Sequence, residues 1–200
     1  MSIQKNIEGI FKNWKQSLTP EEKNILCEYS KFLYEDVNLF LRDDVLNSND
    51  FGNSPDDFKI KENIDIIDNI LNRFILDEEI LVYRNEHHSI SLEEMHEFLC
   101  GVDRIEYRNF VSTSFTKEAS EQFLSILKNQ YQNDIFLCIE GNINKGVPCG
   151  YLDKDISVML GEEDEILMSR NIIFKIKQNS IIINNIDKTI NIYGEFTKEW

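Results

Sequence analysis

The residue pattern predicts an α+β fold, with N-terminal helices followed by antiparallel β-structure. Three observations carry that expectation. Apolar residues recur at three- and four-residue steps through the first third of the chain, and short runs rich in Ile, Val and Phe replace them from Ile80 onward. Helices grouped before strands mark an α+β architecture rather than an alternating parallel one. With 200 residues and 42% hydrophobic content, the chain suits one compact domain over 1–200, mainly helical over 1–78 and mainly β over 79–200.

The first helical run places Ile7, Ile10, Phe11 and Trp14 on one face, and a second places Ile25, Tyr29, Phe32 and Leu33. Thr19-Pro20-Glu21-Glu22 starts the second. Thr19 is the cap, Pro20 has no amide hydrogen to lose in the first turn, and Glu22 stands where a capping box needs its acid. Asn47 to Pro55 reads as a loop, after which Ile60 to Phe74 resumes helical spacing. Strands are expected at Ile80–Tyr83, Phe110–Phe115, Ile135–Ile139, Ile166–Met168, Ile172–Ile176, Ile181–Ile183 and Ile190–Tyr193. Two helices interrupt them, one opened by the capping box Ser91-Leu92-Glu93-Glu94 and one over Glu118 to Leu127.

Charge narrows the class of partner. Lys+Arg 21 against Asp+Glu 36 leaves a formal net charge of −15, which repels a phosphate backbone and an anionic membrane surface alike. Nucleic acid and membrane are therefore disfavoured as partners. Cys27, Cys100, Cys138 and Cys149 form no CxxC pair and have no His at ligand spacing, so neither a metal site nor a redox motif is expected. His87, His88 and His96 read as solvated surface, and Cys149, in the turn signal Gly146-Val147-Pro148-Cys149-Gly150, as packed rather than nucleophilic. The amino terminus carries no classical signal-peptide pattern, and no segment approaches the roughly 20 apolar residues of a membrane span. The expected site of action is cytosolic.

Glu163 and Glu165 are the most informative residues. They close the run Leu160-Gly161-Glu162-Glu163-Asp164-Glu165, which leads into a strand, and residues two apart on a strand face the same way. Paired carboxylates repel each other and raise at least one pKa, unless a cationic ligand or reaction centre relieves them. Taken alone, the pair also fits a solvated acidic turn. Upstream stand Arg84, in Leu81-Val82-Tyr83-Arg84, and Ser112-Thr113-Ser114.

Arg, then Ser-Thr-Ser, then Glu-x-Glu, in this order, resembles the mono-ADP-ribosyltransferases, and among them bacterial exoenzymes and the enzymatic subunits of binary toxins. Trp14, Leu18-Thr19-Pro20-Glu21-Glu22, Tyr29, Asn38 and Leu41-Arg42 are similar to the helical segment that precedes the arginine in that group. The resemblance implies the family's fold, with two packed antiparallel β-sheets around an NAD cleft, and NAD as co-substrate with no metal. It implies that Arg84 grips the dinucleotide phosphates, a task suited to a fixed cationic fork. Ser112 would orient the catalytic glutamate. Tyr29, Asn38, Arg42, Asn109 and Phe123 would contact NAD, although Phe123 fits the apolar face of a helix equally well. Asn85 stands where some relatives carry a second NAD-binding arginine, so the grip would rest on Arg84 and Arg42.

Nicotinamide leaves as a neutral molecule from a cationic ring, so the transition state is oxocarbenium-like and calls for negative charge rather than an acid. By resemblance Glu165 is the catalytic glutamate that stabilises this cation, and Glu163 orients and helps deprotonate the acceptor. A carboxylate at 163 suits a guanidinium acceptor. The expected partner is a target protein bearing an acceptor arginine, with an inhibitor or antitoxin as a further candidate, and delivery into a host or competitor cell as the toxin-like route. Two other readings stay open. One keeps the chemistry and changes the acceptor to a nucleic-acid base; the other is a catalytically inactive binding module of the same fold.

Overall fold

The computed structural model describes residues 3–42, 55–153, 156 and 165–199. Its elements follow the expected order. Helices α1 (Ile3–Ser17), α2 (Pro20–Glu28), α3 (Tyr34–Arg42) and α4 (Pro55–Asn72) precede every strand, and a π-helical turn, Tyr29–Leu33, joins α2 to α3. After β1 (Ile80–His88) come α5 (Leu92–Gly101), β2 (Arg104–Tyr107), β3 (Val111–Ser114) and α6 (Lys117–Gln130). The chain ends with β4 (Ile135–Ile143), β5 (Cys149–Leu152), β6 (Glu165–Met168), β7 (Ile172–Ile176), β8 (Ile182–Asn184) and β9 (Thr189–Thr197). They pack as two compact units.

The first unit comprises 1–75, 108–111 and 148–170. Both capping groups predicted for α2 are in place: Glu22 N–H donates to Thr19 Oγ1 at 3.2 Å, and Thr19 N–H donates to Glu22 Oε2 at 2.9 Å. Glu22 also pairs with Arg73 at the end of α4. One face of α1 is buried as its spacing predicts, with Ile7, Phe11 and Trp14 in the core. Phe11 packs against Trp14, Phe74 and Tyr151, and the Trp14 indole N–H donates to the Ile70 carbonyl of α4 at 3.1 Å. β5 pairs antiparallel with β6, placing Leu152 opposite Glu165.

The second unit comprises 76–107, 112–147 and 171–200. Its strands run in the order β2-β7-β9-β4-β1-β3, with β8 beside β9. One pair departs from the antiparallel expectation: β4 and β9 run parallel, from Phe136 opposite Thr189 to Ile143 opposite Phe196. In that register Gly141 faces Gly194. A Cβ on Gly141 would sit 2.7 Å from the Phe174 ring, and one on Gly194 would overlap both that ring and the Lys175 carbonyl. The two glycines thus clear the space that Phe174 fills. α5 carries the predicted capping box, Glu94 N–H to Ser91 Oγ at 3.1 Å and Ser91 N–H to Glu94 Oε2 at 2.8 Å.

β1, β4, β6 and β9 run further than the sequence pattern marks, β3 is shorter, and β2 and β5 have no strand pattern of their own. β1 continues five residues past Tyr83, because pairing with β4 extends to His88 opposite Ile135 and satisfies a polar stretch that has no strand pattern of its own. β2 has only four residues, and β5 begins inside what the sequence marks as a turn. All four β5 side-chain positions are buried, Cys149 included. The glycine that hides it, Gly150, is there because a Cβ would overlap the Trp14 indole and meet Leu71 Cδ2 at 3.0 Å.

Gly150→Ala should therefore cost roughly 1–3 kcal/mol, the usual penalty of overpacking. Gly9→Ala in α1, where nothing lies within 4 Å, should be neutral or gain up to about 1 kcal/mol of helix propensity. Urea unfolding of both variants checks this. Equal stabilities would contradict the packing of Trp14 on β5.

Candidate active site

Arg84 lies on β1, on the same face as Glu86 two residues along, by the period of the strand. Its guanidinium is held from two directions. Nε donates to Glu86 Oε1 at 2.6 Å, and Nη1 donates to the Ser112 carbonyl of β3 at 2.6 Å. Behind it, the carbon of the guanidinium sits 5.4 Å from the centre of the Tyr107 ring, within cation–π range. The structure thus brings together two of the residues singled out from the sequence, Arg84 and Ser112, through a backbone oxygen that no motif displays.

Glu86 and Tyr107 are what the sequence did not reveal. The second Glu86 oxygen faces His88 Nε2 at 3.4 Å. Burial alone would raise the Glu86 carboxyl, but the Arg84 guanidinium and His88 outweigh it and hold the group far below the usual carboxylate range. Tyr107 moves the other way. Burial and then the Glu86 charge push its phenol well above the ordinary value. A signal for Glu86 was present: the period-two logic that pairs Glu163 with Glu165 also pairs Glu86 with Arg84.

Asn85, expected where some relatives have an arginine, points the other way along β1 and is used for packing. Its amide donates to the Ser120 carbonyl at 2.8 Å and to Ser120 Oγ at 2.7 Å, fastening α6 to β1. Phe123, further along α6, is half-buried. Ser112 itself is half-buried between buried Val111 and Thr113. The histidines differ from the solvated surface expected of them. His87 bonds Asp134 at 2.7 Å and stacks on Tyr131 at 3.7 Å, His88 faces Glu86, and His96 lies 3.3 Å from the exposed Cys100 thiol. Among the described residues no three His, Cys, Asp or Glu side chains are grouped to hold a metal.

In the first unit, Tyr29 and Asn38 come together for a reason that spacing alone conceals. Nine residues of regular helix leave two side chains on opposite faces, but the π-helical turn Tyr29–Leu33 takes up the extra residue and brings the Tyr29 hydroxyl to 3.4 Å from Asn38 Oδ1. The Tyr29 ring is only 1% exposed and stands edge-on to Phe110 at 5.7 Å. Asn38 is half-buried. Asn109 is 3% exposed, its amide donating to the Phe110 carbonyl at 2.7 Å. Glu165 is half-buried at the first position of β6, before three fully buried residues. Arg42 is the last residue of α3; its side chain, like Glu163, lies outside what the structure describes.

The Arg, Ser, Glu order read from the sequence implies the class of ADP-ribosyltransferases, and comparison with known proteins agrees on the family. The family model described as ADP-ribosyltransferase exoenzyme matches residues 8–198, and the chain belongs to that family. It is 25% identical over 187 residues to the NAD(+)–arginine ADP-ribosyltransferase EFV of Enterococcus faecalis, covering 94% of this chain and 34% of that protein. The chain thus spans about a third of the length of this curated relative. Among solved structures it is similar to Plx2a, an ADP-ribosyltransferase toxin from Paenibacillus larvae (TM-score 0.69, 23% identity, 98% of this chain and 94% of that one). It is also similar to the ADP-ribosyltransferase Vis in complex with agmatine (0.67, 23%, 99% and 87%) and to C3stau2 from S. aureus with NAD (0.66, 13%, 100% and 98%). At such identities the structural likeness establishes the fold.

The depressed Glu86 carboxyl has a consequence for stability. A carboxyl held low in the folded state adds stability that is present above its unfolded pKa and is lost as pH falls through its folded value. The stability difference between the wild type and Glu86→Gln should therefore shrink as pH falls from about 7 to about 3, around the ordinary glutamate pKa. Urea unfolding across that range measures it. A difference that grows on acidification would contradict the pairing with Arg84.

Proposed function

We propose that this chain transfers ADP-ribose from NAD to a guanidinium group on a target protein. The observation that carries this is Arg84, fixed by the Ser112 carbonyl in a chain matched by the exoenzyme family over 8–198. In the reaction the bond between the ribose anomeric carbon and the nicotinamide nitrogen breaks, nicotinamide leaves neutral, and a guanidino nitrogen forms the new bond and gives up a proton. Arg84 takes the NAD phosphates, with Arg42, Asn38, Asn109 and Phe123 as further contacts. Glu165 stabilises the oxocarbenium charge and Glu163 orients and helps deprotonate the acceptor.

Arginine is the acceptor favoured, for three reasons. A carboxylate at 163 pairs with a guanidinium as a glutamine would not. EFV is named for arginine, and Vis was solved with agmatine, a guanidino compound. The net charge of −15 repels a nucleic-acid acceptor. Action as a toxin on a host or competitor cell fits the same relatives, and an inhibitor or antitoxin covering the site is a further proposed partner.

Purified chain, labelled NAD and whole-cell lysate, digested afterwards with protease or nuclease, test the reading. The expected result is label that protease removes and nuclease leaves, that agmatine competes away, and that Glu165→Gln lowers by about a hundredfold or more, as loss of a charge-stabilising group does. Label lost to nuclease would move the acceptor to nucleic acid. Glu163→Gln separates the two glutamates: transfer to agmatine should fall while slow NAD hydrolysis by water continues, read as nicotinamide release. If both activities fall equally, Glu163 does not act on the acceptor.

A further inference from the structure

We propose that Glu86 is a positioning residue for the NAD reaction, holding the Arg84 fork at the angle from which it meets the dinucleotide phosphates. This rests on the reading of Arg84 given above. An arginine on a strand has several flexible side-chain torsions, and a phosphate grip needs the guanidinium plane fixed before the ligand arrives, since ordering it on binding costs affinity.

Two bonds to opposite sides of a planar group fix its rotation. Glu86 Oε1 accepts from Nε at 2.6 Å and the Ser112 carbonyl accepts from Nη1 at 2.6 Å, while the Tyr107 ring backs the guanidinium at 5.4 Å. On the far side of the carboxylate, His88 Nε2 lies 3.4 Å from the other Glu86 oxygen. Tyr107 is 7% exposed, so a buried ring closes the side behind Arg84 and Glu86. Among the described residues, Arg84 and His88 on β1 and Tyr107 on β2 are the titratable groups against Glu86.

A carboxylate beside the gripping cation has two opposite possible effects. It aligns the fork, and it also competes with phosphate for the charge. The geometry points to alignment, because Glu86 takes the Nε hydrogen from the side, and the bond to Ser112 fixes Nη1 independently.

The test uses the full chain, with NAD binding by calorimetry and nicotinamide release for KM and kcat. Glu86→Ala should raise both the Kd and the KM for NAD about tenfold or more, as loss of a charge-assisted bond does, with kcat at saturating NAD within about threefold, since the phosphates are remote from the bond that breaks. Glu86→Gln, which keeps an oxygen to accept from Nε, should recover most of the affinity. Arg84→Ala with Glu86→Ala should bind no worse than Arg84→Ala alone, because one residue acts through the other. Unchanged or tighter NAD binding in Glu86→Ala overturns the proposal by showing competition. A kcat that falls with KM unchanged overturns it too, by showing a merely structural role. Wild-type chain that binds no NAD removes the reading of Arg84 itself, and the proposal with it.

Discussion

One half-buried cation organises the second unit. Arg84 is a charge that would be costly to desolvate unpaired, and Glu86, the Ser112 carbonyl and the Tyr107 ring together offset that cost. The consequences run outward along the strands. Since Arg84 is bonded to a backbone oxygen of β3, the position of Ser112 is tied to β1 whatever its hydroxyl does. Since Glu86 sits between Arg84 and His88, the polar end of β1 is committed to strand and stays paired with β4 as far as His88. Asn85, on the opposite face, uses the same stretch to anchor α6. A strand of nine residues with no regular apolar alternation is held by what its polar side chains meet.

The first unit is held differently. Its core is aromatic, with Phe11, Trp14, Phe74 and Tyr151 in contact, and it admits β5 only because Gly150 presents no side chain to the Trp14 indole. The ion pairs Arg73 with Glu22, Arg170 with Asp68 and Lys15 with Asp153 lie partly exposed around that core, where such pairs contribute little each. The π-helical turn is the local departure with a consequence for the site, because it turns Asn38 toward the Tyr29 hydroxyl.

Much of this was legible in the sequence, and for physical reasons. Caps at Thr19 and Ser91 were readable because their partners are three residues away. The buried face of α1 was readable because helical periodicity is local. Arg84 and Ser112 were found as members of a pattern, but the contact joining them is a side chain to a backbone oxygen 28 residues on, and nothing in composition displays that. Tyr29 was singled out by resemblance, and its burial and its hydroxyl 3.4 Å from Asn38 Oδ1 depend on a π-helical turn that no spacing rule displays. β5 escaped because glycine reads as a turn unless one knows which indole lies over it, and the π-turn because no residue type announces one.

The most direct test of the account is a crystal structure of the chain with NAD bound. The account predicts the NAD pyrophosphate oxygens within hydrogen-bond reach of the Arg84 guanidinium, with the Nη1 bond to the Ser112 carbonyl retained. NAD seated away from Arg84, or bound only after that bond to Ser112 is broken, would contradict it.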